Sequence, residues 1–165
     1  MLKNKEASVL DIPVIQEIAY KTWPVTFGDI LTNEQIEYML DMMYSKEALI
    51  EQIEVKKHNF ILASIEDVFS GYISYELNYK NLNKTKIHKI YILPSSQGSG
   101  IGKYLMSEVS KIAIDNNSLS LLLNVKRDNK AVGFYQKTGF EIICNEDIDI
   151  GNGFLLEDYV MEKIL

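Results

Sequence analysis

The sequence predicts a mixed α/β fold: a sheet of six to seven strands, antiparallel first and parallel later, with about four or five helices around it. Three observations carry this expectation. Helical periodicity fills the chain up to about residue 58, and short alternating apolar runs occupy residues 59–93. A glycine-rich turn then opens a long amphipathic segment, which leads into a continuously apolar run.

Each element has a local reason. Asp11 is placed to cap a helix from about Ile12 to Thr22, with Pro13 tolerated in its first turn. Ile12, Ile15, Ile18 and Ala19 form its apolar stripe, and Trp23-Pro24 is expected to end it. Asn33 and Ser45 are caps for two further helices. Asn59–Ile65, Val68–Asn78 and Ile87–Leu93 read as an antiparallel meander, turned at Glu66-Asp67 and at 81–85 and stopped by Pro94. Ile101–Asn116 is amphipathic through Ile101, Leu105, Val109, Ile112 and Ala113. Leu119–Val125 is apolar throughout, as in a strand buried on both faces. Asn129–Thr138 is a short helix closed by Gly139, and Phe140–Cys144 and Phe154–Lys163 complete the sheet.

Composition narrows the function. The 165 residues read as one domain, 1–165, with 47% hydrophobic and 24% charged residues. A net charge of −6 weighs against a nucleic-acid partner and leans towards a cationic one, although it also simply maintains solubility. One cysteine, Cys144, excludes an internal disulfide. No CxxC pair or HExxH occurs and there are two histidines, so no metal is expected. With neither a signal peptide nor an apolar run of about 18–20 residues, no membrane association is expected and the cytoplasm is the expected compartment.

The most informative stretch runs from Ile90 to Lys103, IYILPSSQGSGIGK. A strand ends at Pro94, Gly98, Gly100 and Gly102 alternate, and a helix begins. Glycines permit positive φ and close approach of a ligand, and a helix N-terminus offers unpaired N–H groups. Together they make a diphosphate cradle. The P-loop pattern fails, because Tyr104 follows Gly102-Lys103 where a hydroxyl must hold magnesium. The dinucleotide fingerprint fails because Lys103 stands where its third glycine belongs. What remains is Gln97-x-x-Gly100-x-Gly102.

That pattern, after a strand and opening a helix, resembles the coenzyme A loop of the GCN5-related N-acetyltransferase (GNAT) superfamily. A second block, Leu123–Phe140, resembles the family's later motif through Asn129, Ala131, Tyr135, Gly139 and Phe140. Asn129 stands six positions before Tyr135, whereas many members have seven. The N-terminal helices and the tail from Asp158 to Lys163 are similar to a bacterial subgroup that includes polyamine and protein amine acetyltransferases.

The resemblance implies acetyl-CoA as co-substrate and a primary amine as acceptor, joined in a ternary complex with pantetheine between Ile87–Leu93 and Leu119–Val125. It implies that the main chain at Ile90, Tyr91 and Ile92 meets the thioester arm. Gln97, Gly98, Ser99, Gly100, Ile101, Gly102 and Lys103 would hold the diphosphate, and Asn129 would contact the coenzyme. Tyr135 would protonate the departing thiolate; its alternative is a buried anchoring tyrosine. His88 stands where many relatives carry a strand Glu, and is the candidate base against an equal reading as a plain strand histidine; Glu76 is the substitute. Trp23, Phe27 and Tyr38 would line the acceptor pocket, unless they are core. A homodimer through the terminal strand follows by analogy only. The alternative function is a coenzyme A-binding sensor without turnover.

Overall fold

A computed structural model describes residues 1–165. Seven strands form one sheet: β1 (Leu2–Glu6), β2 (Asn59–Ile65), β3 (Val68–Glu76), β4 (Lys84–Ile92), β5 (Ser120–Lys126), β6 (Glu141–Gly151) and β7 (Phe154–Ile164). Their hydrogen-bonded order is β1-β2-β3-β4-β5-β7-β6. Five helices accompany them: α1 (Ile12–Phe27), α2 (Asn33–Tyr44), α3 (Lys46–Ile50), α4 (Ile101–Asp115) and α5 (Ala131–Lys137). The β1–β2, β2–β3, β5–β7 and β6–β7 pairs are antiparallel, and β4–β5 is parallel. The mixed sheet and the helix number match the sequence expectation. No helix is long and apolar enough to cross a membrane.

The chain divides into two compact units: Met1–Glu76 with Lys89–Val109, and Leu77–His88 with Ser110–Leu165. In the first, β2 has the bounds expected for it, and the turn at Glu66-Asp67 takes positive φ at both residues (47° and 65°). β1 lies outside the sequence expectation. It carries a single apolar side chain and so has no apolar periodicity. It is an edge strand whose lysines are tied down, Lys3 to Asp67 and Lys5 to Asp11, each at 2.7 Å.

Two helix caps and one helix end in the first unit differ from expectation. Ser8, not Asp11, is the cap ahead of α1: its hydroxyl accepts from the Leu10 N–H, and Asp11 reciprocates by accepting from the Ser8 N–H at 2.9 Å. Thr32, not Asn33, caps α2, in a box with Gln35. α1 does not stop at Trp23-Pro24 but continues to Phe27. Trp23 and Phe27, one turn apart, are both buried with ring centroids 4.6 Å apart, and only a continued helix places both on one face. The chain leaves through Gly28, where a Cβ would stand 2.4 Å from the Pro24 carbonyl oxygen. Ser45 caps α3 as expected, accepting from the Ala48 N–H. The next turn, Glu51–Val55, is wound as a π-helix, with Lys56 N–H bonded five residues back to Glu51.

In the second unit, β5 is apolar and buried through Leu121, Leu122 and Leu123, as a strand covered on both faces requires. β4 and β5 pair only from Lys84 opposite Ser120 to Ile87 opposite Leu123, although both strands continue beyond. β6 runs to Gly151, seven residues past the expected Cys144, because Glu146, Asp147 and Asp149 hide an exposed strand from any apolar count. Gly139 has φ of 101°, which supports the expected helix-ending role.

Candidate active site

The glycine turn is built as the sequence indicates. Gly98 and Gly100 have φ of 82° and 88°, and a Cβ at either would meet nothing within 4 Å. The backbone conformation, rather than crowding by the protein, therefore demands glycine there. Ile101 is buried and anchors α4, whereas Gln97, Gly98, Ser99, Gly100 and Lys103 are exposed or partly so. Tyr104 N–H is bonded to the Gly100 carbonyl at 3.0 Å. The amides of Ile101, Gly102 and Lys103 precede it in the first helical turn, where no intrahelical carbonyl is within reach. A helix N-terminus thus presents donors and positive dipole at an open, glycine-shaped surface, which is the chemistry an anionic diphosphate requires.

The preceding strand brings Ile90, Tyr91 and Ile92, all half-buried, up to this turn. The Tyr91 ring joins an aromatic cluster: its centroid lies 5.8 Å from Trp23, 6.4 Å from Phe27 and 6.0 Å from Tyr72. Trp23 and Phe27 are therefore core-packed and pack against Tyr91. Tyr38 lies on α2, half-buried.

Tyr135 lies on α5 with its ring 5.5 Å from Phe134 and 5.8 Å from Phe140. Its carbonyl accepts from Phe140 N–H at 3.0 Å and from the Thr138 hydroxyl at 2.9 Å, which fixes the helix end that carries it. Burial pushes the phenol well above its ordinary pKa, so it stays protonated throughout the physiological range. Asn129 acts locally, its Oδ1 accepting from Ala131 N–H at 2.8 Å and so starting α5. His88 is half-buried on β4 and meets the Tyr79 ring edge-on, centroids 6.0 Å apart.

Two constellations have no signature in the sequence. On the second unit's strands, Lys86 donates to Asn124 Oδ1, and Asn124 Nδ2 lies 3.3 Å from both Glu146 Oε1 and Asp158 Oδ2. Desolvation, with the nearby Glu146 charge adding to it, raises the Asp158 carboxyl above its ordinary pKa. In the first unit, His58 Nε2 approaches Glu76 Oε1 at 3.3 Å, yet burial and the charges of Lys89 and Lys56 lower the imidazole to about 4. The contact is therefore a neutral imidazole facing a carboxylate rather than an ion pair. Arg127 is engaged by Asp147 at 2.9 Å.

A seven-stranded mixed sheet with a glycine turn opening a long helix is an α/β fold with an anion-binding turn at a helix N-terminus. Likeness to known proteins places the chain further. Residues 29–163 match the family model for the acetyltransferase (GNAT) domain. A spermidine N(1)-acetyltransferase of Thermoplasma acidophilum is 30% identical over 161 residues, covering 94% of this chain and 96% of that protein. The crystal structure of PaiA N-acetyltransferase from T. acidophilum with coenzyme A superposes with a TM-score of 0.84 at 28% identity, covering 100% of this chain and 99% of that one. The ribosomal-protein-S18-alanine N-acetyltransferase of Escherichia coli shares the fold at 14% identity, TM-score 0.74, with 99% and 94% covered. The chain belongs to the GNAT superfamily and is an acetyl-CoA-dependent acyltransferase.

Proposed function

We propose that the chain moves the acetyl group of acetyl-CoA to a primary amine, either a small polyamine-like amine or a protein amine, by direct attack with both substrates bound. The observation that carries this reading is the open glycine turn at the start of α4, where no protein atom lies within 4 Å of a Cβ at Gly98 or Gly100 and the first-turn amides lack intrahelical partners. The similarity to a spermidine acetyltransferase over almost the whole chain supports the amine, as does the negative net charge.

The amides of Gln97 to Lys103 hold the diphosphate, and the Ile90–Ile92 main chain receives the thioester arm and polarises its carbonyl. An alkyl ammonium, pKa roughly 10.4, must lose a proton before it attacks. His88 takes that proton directly or through water, with Glu76 as the substitute. The nitrogen lone pair then forms the C–N bond and the C–S bond breaks. Tyr135 supplies a hydrogen bond and then a proton to the leaving thiolate, and the proton shed by the newly acetylated nitrogen restores the phenol. Its raised pKa makes complete early transfer uphill, so it serves as a donor that strengthens as charge develops on sulfur. Tyr91, backed by Trp23 and Phe27, and Tyr38 offer ring faces to an ammonium.

The test is thiol release from acetyl-CoA in the presence of a panel of polyamines, monoamines and peptide amines. Amine-dependent release supports the reading. Tight coenzyme binding with no release from any amine would replace it with a coenzyme A sensor.

A further inference from the structure

Lys89, in β4, is a lysine set among apolar rings rather than carboxylates. Its Nζ donates to Gln52 Oε1 at 2.7 Å and lies 5.7 Å and 5.8 Å from the ring centroids of Tyr44 and Phe60. Gln52 is itself buried and oriented. It lies in the π-wound turn, and its Nε2 donates to the Met43 carbonyl at 2.8 Å. The charge that acts on Lys89 is another cation, Lys56. Burial of an ammonium is costly without an anionic partner, and here an amide oxygen and two ring faces take that place. Tyr44 in turn meets Trp23, centroids 6.0 Å apart, so the lysine borders the aromatic cluster around Tyr91. It is also the residue directly before the Ile90–Ile92 segment.

We propose that Lys89 is a self-acetylation site: its Nζ accepts the acetyl group of the chain's own bound acetyl-CoA when no amine acceptor is present. The inference rests on the proposed placement of the thioester arm along Ile90–Ile92. The neutral Nζ attacks the thioester carbon, the C–N bond forms and the C–S bond breaks. Coenzyme A leaves as the thiolate, and the proton shed by the new ammonium goes to it, giving a free thiol and an N-acetyl-lysine. The product suits its surroundings. The amide is uncharged, keeps one N–H for Gln52 Oε1 and ends the repulsion from Lys56. It also removes a cation from the border of a site meant for ammonium acceptors.

Desolvation, and then Lys56, lower Lys89 to about 7. The groups facing it are Lys56, His58, Tyr44 and Gln52. A substantial share of Lys89 is therefore the neutral nucleophile near pH 7, against roughly one part in 2,500 for an ordinary lysine. Part of that advantage is lost to burial, because the side chain must leave Gln52 to react.

The experiment incubates the full chain with acetyl-CoA alone between pH 6 and 9 and maps acetyl-lysine by peptide mass spectrometry. Coenzyme binding and amine-dependent thiol release are measured on the same preparation. Acetylation is expected at Lys89, at pH 7 at least about 10-fold faster than at exposed Lys56 or Lys57. Its rate should level off above pH 7 while theirs keeps rising, and excess coenzyme A should suppress it. Lys89→Arg should abolish that signal, with Lys89→Met as a second variant whose long apolar side chain suits the box. An unmodified Lys89 in a preparation that binds coenzyme and acetylates amines overturns this inference alone. So does a Lys89 rate no faster than that of exposed lysines. Absence of coenzyme binding overturns it together with the reading on which it rests.

Discussion

Tyr72 donates its hydroxyl to that of Tyr44 across 2.5 Å, and both residues are wholly buried. The pair joins β3 to the end of α2, and it holds Tyr44 where its ring meets both Trp23 and Lys89. Tyr44→Phe leaves a buried phenol O–H without its partner and is expected to cost about 1–3 kcal/mol in denaturant unfolding. Replacing both tyrosines by Phe removes donor and acceptor together. The double variant should therefore be less unstable than the sum of the two single ones.

Tyr135 should separate catalysis from stability. The protein fixes its ring and its carbonyl, and burial is what raises the pKa of its hydroxyl. Tyr135→Phe is thus expected to change the melting temperature little. If the phenol serves the leaving thiolate, kcat should fall on the order of 100-fold while coenzyme affinity stays within about 2-fold. Steady-state thiol release and calorimetric titration with coenzyme A measure the two effects. Equal and small changes would remove Tyr135 from the mechanism.

His58 makes stability fall on the acid side. Its imidazole titrates at about 4 in the folded chain, against 6.5 for the ordinary group. Between those values the unfolded state binds more protons, so stability is full above pH 6.5. The contribution of His58 declines as the pH falls and is fully lost once the pH passes 4. The loss is on the order of 3 kcal/mol, since the imidazole moves from 6.5 to about 4 and one unit corresponds to about 1.4 kcal/mol. Denaturant midpoints measured from pH 7 to pH 4 should drop accordingly, and His58→Gln should flatten that slope.

Local features are legible in the sequence, and features fixed by distant partners are not. β2 and the start of α4 follow from apolar runs and from glycines whose φ is positive, signals contained in a few adjacent residues. β1 escapes detection because an edge strand of Leu-Lys-Asn-Lys-Glu has no apolar rhythm. Pro24 fails as a breaker because packing of Trp23 on Phe27 outweighs one lost helical hydrogen bond. At the candidate site, the glycine turn and Tyr135 stand in recognisable motifs. The environment of Lys89 comes instead from Gln52, 37 residues away, in a π-wound turn that no periodicity announces. Asn129 shows the converse: its motif position is legible, but the hydrogen bond that its Oδ1 accepts from Ala131 N–H at the start of α5 is not.

The glycine turn yields the sharpest separation of binding from folding. At Gly100 an L side chain must adopt a φ of 88°, which costs about 1–2 kcal/mol. No protein atom lies within 4 Å of the added Cβ, so the fold has no clash to relieve. The side chain would occupy the space the diphosphate is proposed to fill. Gly100→Val should therefore lower coenzyme A affinity by about 10-fold or more, beyond what its modest loss of melting temperature explains. Gly133 provides the control. It sits inside α5 with equally open surroundings and no positive φ, so Gly133→Ala should raise helix stability by up to about 1 kcal/mol. Coenzyme affinity in that variant should be unchanged. If titration calorimetry finds the two variants binding coenzyme A equally, the diphosphate does not lie over the Gly98–Gly100 turn.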